Sequence, residues 1–174
     1  MKKIAIIGIS GTGKSILGRR LAEKTGLTLH HMDAIIWDPH WTETTENSIC
    51  VALAEITARE NWIVEGWIDL YSRDVLQRSD VILYLDYPGW LAAWGGVLRW
   101  WRYKGKRRPE MPEGCVESSG LRFLQTMFLR RERPHIEAVL AGMPQMNIIR
   151  VQSRRETEIA FSQLVLKVNE SSEA

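Results

Sequence analysis

The chain has 174 residues, 45% hydrophobic and 25% charged, with two cysteines and a formal net charge of +2. This length favours one domain, spanning 1–174, and the ordinary globular composition excludes a wholly disordered chain. No apolar run reaches the roughly 18 residues of a membrane span, so no membrane partner is expected.

The opening MKKIAIIGIS has too short an apolar run for a signal peptide and leads straight into a glycine loop. Cys50 and Cys115 are too few and too far apart for a disulfide scaffold or a cysteine zinc site. They predict a protein of the reducing cytoplasm. Residues 3–8 form a continuous apolar run closed by glycine, the pattern of a buried strand. Residues 15–24 set Ile16, Leu17, Leu21 and Ala22 at helical spacing, and Thr25-Gly26 stops them. Residues 27–32 read as a second strand and 48–60 as a helix. Third and fourth strands follow at 62–64 and 81–85. Residues 90–102 are predicted helical, and 121–141 hold one or two helices. A fifth strand at 147–151 and a helix at 156–168 complete the chain. Strands alternating with helices predict an α/β fold with a parallel sheet covered on both faces. Ligands bind such sheets beyond the carboxyl ends of the strands.

The charge is unevenly spread. Residues 99–155 hold thirteen Lys/Arg against five Asp/Glu, which predicts an anionic partner for this stretch. Residues 99–108, RWWRYKGKRR, are its densest part. Trp90, Trp94 and Trp101 fit helical spacing, which predicts packing.

Gly8-Ile9-Ser10-Gly11-Thr12-Gly13-Lys14-Ser15 matches the phosphate-loop pattern G-x-x-x-x-G-K-S/T in full. Glycines permit the backbone turns that aim successive N–H groups inward as an anion nest. The helix that follows points its positive end at the phosphates. Lys14 supplies a cation to the β/γ-phosphates, and the Ser15 hydroxyl can ligate Mg²⁺. Candidate nucleotide-binding residues are therefore Gly8, Ser10, Gly11, Thr12, Gly13, Lys14, Ser15 and Ile16. A guanine-reading Asn-Lys-x-Asp is absent, which argues against a GTPase switch.

At this point the chain resembles the P-loop kinases of the adenylate kinase and shikimate kinase type. More closely, it resembles the family called DNA topology modulation protein, or FlaR-like. The resemblance spans 3–168. It rests on the phosphate loop, His31-Met32-Asp33 with Trp37, Trp62 to Gly66, and Asp86-Tyr87-Pro88. Further support comes from Tyr103 to Lys106, Arg108 to Met111, Glu113-Gly114-Cys115, Arg133-Pro134 and Arg150 to Glu156. The resemblance implies a three-layer fold, a five-stranded sheet of order 2-3-1-4-5, a mobile lid near 99–120, ATP and Mg²⁺.

It also implies roles. Asp33 would orient or deprotonate the acceptor hydroxyl. An N-cap is the alternative for Asp33. Glu65 would hold Mg²⁺ through water, with Ser15. His31 would pair with Asp33 or line the acceptor pocket, with Trp67 beside it, or simply pack. Glu65-Gly66-Trp67-Ile68 stands where relatives carry Asp-Gly-Asn-Tyr, which implies a different acceptor. Lid cations, first Arg102 and Arg108 and then Arg133, would neutralise the transferring phosphoryl. Ser153 and Arg154 would lie beside adenine, while Ser153 and Glu156 also form a capping-box pattern.

The implied activity is transfer of the γ-phosphoryl of ATP to a small acceptor, a nucleoside or nucleotide. Two alternatives stay open. One is a kinase of another acceptor, such as a sugar acid. The other is a DNA-binding, weakly ATP-hydrolysing regulator, in which Trp100, Trp101 and Tyr103 stack on bases among the cations.

Overall fold

A computed structural model describes residues 1–66, 72–117 and 120–173. Trp67 therefore lies outside the described residues. The chain opens with β1 (Lys3–Gly8), α1 (Lys14–Thr25), β2 (Leu29–His31) and the short α2 (Met32–Ile36). A small antiparallel hairpin follows, β3 (Trp37–Asp38) and β4 (Thr42–Glu43), around a 3-10 turn at Pro39–Trp41. Then come α3 (Glu46–Thr57), β5 (Trp62–Gly66), α4 (Ser72–Arg78) and β6 (Val81–Leu85). The last part holds α5 (Gly89–Tyr103), α6 (Leu121–Phe128), α7 (Arg133–Ala141), β7 (Ile148–Val151) and α8 (Arg154–Glu173).

The main sheet has five strands in the order β2-β5-β1-β6-β7, and all of its pairs are parallel. Among the described residues the hairpin strands pair with each other and not with the main sheet. Counted without it, the order is the expected 2-3-1-4-5.

Alternation along the central strand splits the core into two layers. Ile4 and Ile6 pack with Leu17 and Leu21 of α1 and Leu164 and Val168 of α8. Ala5 and Ile7 face the other way, onto Leu76, Ala92, Met127, Ile136 and Leu140 from α4 to α7. A third cluster surrounds the fully buried Trp62 with Met32, Ile49, Leu53 and Val75. The predicted 27–32 strand is shorter than expected, because Met32 turns inward and begins α2.

Helix α5 contradicts the packing expected of its tryptophans. Trp90, Trp94 and Trp101 are 63%, 54% and 78% exposed. The buried face is instead the small one, Gly89, Ala92 and Gly96. Small residues let the helix backbone come against other backbone. A Cβ on Gly95 would stand 2.0 Å from the Gly11 carbonyl oxygen, and one on Gly11 would stand 2.1 Å from the Ala92 oxygen. Gly11 also takes φ +83°, a left-handed conformation costly for any other residue. The phosphate loop thus lies directly on α5.

Candidate functional site

The carboxyl ends of the central strands open into a cleft of about 370 Å³. Its floor is the loop between β1 and α1. Ser10 to Leu17 line it, together with Asp33, Glu65, Arg99, Arg102, Arg108 and Arg154. The topology explains the gathering, because α1, α2, α5 and α8 all start or run beside that edge.

Lys14 folds over the loop, and its Nζ donates to the carbonyls of Gly8 at 2.9 Å and Ile9 at 3.1 Å. Burial pushes its ammonium below the ordinary lysine range, against the pull of Glu65, Asp33 and Glu132. Gly8 itself ends β1 against the Leu85 carbonyl, and supports the loop from behind. The Ser10 amide donates to Glu132 Oε2 at 3.0 Å. Glu132 is a contact that sequence reasoning missed, since 122 residues separate the partners.

In the same cleft, Asp33 Oδ2 receives Arg108 Nη1 at 3.3 Å. Buried Arg108 also meets Glu117 at 3.1 Å and Glu110 at 3.6 Å. Arg99 Nε reaches Glu117 at 3.5 Å, and Arg19 bonds Glu110 at 3.1 Å. The predicted lid arginine Arg108 is therefore the hub of an ion-pair network that reaches Asp33. Arg99, Arg19, Glu110 and Glu117 were not among the sequence candidates. Arg102 lines the cleft and enters no ion pair among the described residues. Segment 104–117 is tied to the hairpin: His40 N–H donates to the Glu113 carbonyl, and Trp41 Nε1 donates to the Val116 carbonyl at 3.2 Å. Cys115 is buried there, and its thiol sulfur lies 3.3 Å from the Trp41 amide.

His31 does not pair with Asp33. Its Nδ1 lies 2.5 Å from Glu65 Oε1. The cause is register: β2 and β5 are parallel neighbours, with His31 directly beside Glu65. Glu65 is 3% exposed, at the end of β5 and within the cleft.

Arg133 does not line the cleft. Its Nε and Nη2 bond Asp86 at 3.0 and 3.2 Å, and its Nη2 meets Glu137 at 3.0 Å. Arg130 and Arg150 close on the same Asp86 carboxylate, which is buried at the end of β6. A carboxylate in such a place draws nearby cations onto itself. Asp86→Ala leaves Arg130 without its carboxylate and Arg133 and Arg150 with Glu137 alone among the described residues. It is expected to lower stability by about 2 to 4 kcal/mol, between the exposed and buried limits for broken ion pairs. Urea denaturation of the two proteins measures it.

Arg154 lines the cleft at the start of α8, near Tyr87 and Thr157, whose hydroxyls lie 2.6 Å apart. Ser153 stands outside the cleft lining and takes the capping role, accepting from the Glu156 amide at 3.2 Å. Glu156 answers by accepting from the Gln152 amide at 2.8 Å, one residue before the Ser153 cap, a variant of the expected capping box.

A five-stranded parallel sheet with a phosphate loop at its carboxyl edge and helices on both faces is a fold this chain shares with solved P-loop kinases. Similar solved structures bear this out. The shikimate kinase from Acinetobacter baumannii in complex with shikimate is 19% identical, with a TM-score of 0.59 over 98% of this chain and 94% of that one. A gluconokinase from Sinorhizobium meliloti is 19% identical, with a TM-score of 0.51 over 98% and 97%. Deoxyadenosine kinase from M. mycoides with bound dATP is 16% identical, with a TM-score of 0.51 over 94% and 99%. At these identities the likeness is one of fold. No protein-family model matches the chain, and no curated protein matches it in sequence. No helix among the described residues is long and apolar enough to cross a membrane.

Proposed function

We propose that the chain is an ATP-dependent phosphotransferase acting on a small acceptor, a nucleoside or nucleotide. The observation that carries this reading is that Asp33 lines the same cleft as Lys14 and Ser15. A carboxylate lining that cleft can take the proton of an acceptor hydroxyl. The acceptor oxygen forms its bond to the γ-phosphorus as the bond to the bridging oxygen breaks and ADP leaves. Asp33 takes the hydroxyl proton, and Arg108 holds its carboxylate in place. Loop amides and Lys14 bear the phosphate charge, and Arg102 adds a cation from α5. Arg154 packs beside the base of ATP.

The donor set suits Mg²⁺, which keeps several waters and asks little of the protein. The Ser15 hydroxyl, with buried Glu65 or Asp33 through water, would hold it. Bound there, the ion would neutralise charge on the β- and γ-oxygens. The FlaR-like resemblance remains a reading carried by the motifs. A sugar-acid acceptor is the second reading, supported by the shikimate kinase and gluconokinase among the similar structures.

Product analysis by mass spectrometry tests the proposal. The protein is incubated with Mg-ATP and a pool of nucleosides, nucleoside monophosphates and sugar acids, with Lys14→Ala as the blank. A phosphorylated nucleoside or nucleotide absent from the blank is expected. A phosphorylated sugar acid would move the assignment to the second reading. ADP without any phosphorylated acceptor would overturn both in favour of an ATP-hydrolysing regulator.

A further inference from the structure

The outer face of α5 carries an apolar stripe that the cleft does not use. Trp90, Trp94 and Trp101 fall within about 40° of one another around the helix axis. All three are more than half exposed. Indole side chains with this much open surface are unusual on a helix that has a neighbour to bury them. Here the neighbours take the opposite, small-residue face.

The stripe ends in cations. Lys104, Lys106 and Arg107 are exposed just beyond the end of α5. Among the described residues they enter no ion pair. Their state contrasts with that of Arg99 and Arg108 in the same segment, which are held by Glu117. Lys104 Nζ lies 4.8 Å from the centre of the Trp100 ring, so cation and indole already share one surface.

We propose that this face of α5 docks on an anionic lipid surface, with the three indoles among the headgroups and the unpaired cations on acidic lipids. Indole prefers the boundary between water and acyl chains, and a helix lying in that plane needs one apolar face and nearby lysine or arginine. Charge and shape choose this occupant over two others. A second copy of the chain would set like, unpaired cations near one another. A single-stranded nucleic acid is gripped by a charged groove lined with stacking rings, whereas this stripe is a rib on a convex helix. A peripheral contact of this kind needs no spanning segment, so it revises the expectation of no membrane partner without requiring one.

Co-sedimentation of the full chain with large vesicles tests it. One set is phosphatidylcholine alone, and the other has one part phosphatidylglycerol to two parts phosphatidylcholine. Binding to the mixed vesicles, weakened by salt and weaker still on the neutral set, is expected. The triple variant Trp90→Ser, Trp94→Ser, Trp101→Ser should lose at least about tenfold of that binding. Circular dichroism checks that the variant is folded. A second variant, Lys104→Glu with Lys106→Glu, keeps the test open if the first is not, and should also lose vesicle binding. Brominated acyl chains should quench the tryptophan fluorescence of the wild type. The proposal fails if the wild type ignores the mixed vesicles, if it binds neutral ones equally, or if folded variants bind as the wild type does. Tryptophan-dependent retention of oligothymidylate without vesicle binding would overturn it in favour of nucleic acid. A tryptophan-dependent dimer without vesicle binding would overturn it in favour of self-association.

Discussion

Asp33→Asn is expected to lower phosphoryl transfer by about a thousandfold, within the range of a lost general base. Asparagine keeps the size of the side chain and can still meet Arg108 through its amide oxygen. It cannot accept the acceptor's proton. The network of Arg108, Glu110 and Glu117 therefore has little reason to rearrange. ATP affinity should change by no more than about twofold, because the proposed function assigns the phosphates to the loop and Lys14. Single-turnover kinetics and nucleotide titration separate the two quantities. A loss of ATP affinity as large as the loss of rate would reassign Asp33 to the metal and nucleotide half of the cleft. Unchanged turnover would remove it from the chemistry altogether.

The second large effect is expected at Gly95. In an open helix interior, Gly→Ala stabilises by about 1 kcal/mol. At this position the sign should reverse. The new methyl would sit 2.0 Å from the Gly11 carbonyl oxygen. That neighbour is backbone of the phosphate loop, and no rotamer change can relieve the clash. Overpacking of this kind costs about 1 to 3 kcal/mol, and the shifted loop should bind ATP about tenfold more weakly or worse. Gly96→Ala is the comparison. Its new methyl would meet Met127 Sδ at 2.5 Å, the flexible end of a side chain that can move aside. Gly96→Ala should therefore destabilise less and leave ATP affinity unchanged. Equal losses in both variants would show that the helix, and not the loop contact, is what the methyl disturbs. Thermal denaturation with and without Mg-ATP reads both effects.

The parts of this fold visible in the sequence are those written in contiguous residues. Lys3–Gly8 and Val81–Leu85 are buried on both faces, so their apolar runs are unbroken and the strand bounds follow directly. The phosphate loop is likewise eight consecutive residues. The order of the strands came from the family resemblance. The short α2, the hairpin at 37–43 and α4 were not foreseen, because elements of a few residues are too short to show a period. Contacts set by register or by distant turns were equally hidden. His31 meets Glu65 because two strands align, and Arg133 meets Asp86 because a helix crosses the sheet end. The tryptophans are the most instructive error. Helical spacing showed that Trp90, Trp94 and Trp101 share a face, but not that it faces outward. The signal lay on the other side of the helix, where Gly89, Ala92 and Gly95 permit backbone to touch backbone.

That contact makes α5 a lever. Near its middle, around Gly95, the helix rests on the phosphate loop, and at its far end it leads into the cationic segment that meets Asp33 and the hairpin. From Gly95 to Tyr103 the helix extends about 12 Å. A tilt of about 10° at the loop would carry the far end through about 2 Å, enough to make or break a hydrogen bond. On the proposed function, a push at the loop by an arriving phosphate would be read out, enlarged, at Arg108 and the Asp33 it holds. A pull on the outer face of α5 would travel the same beam in reverse.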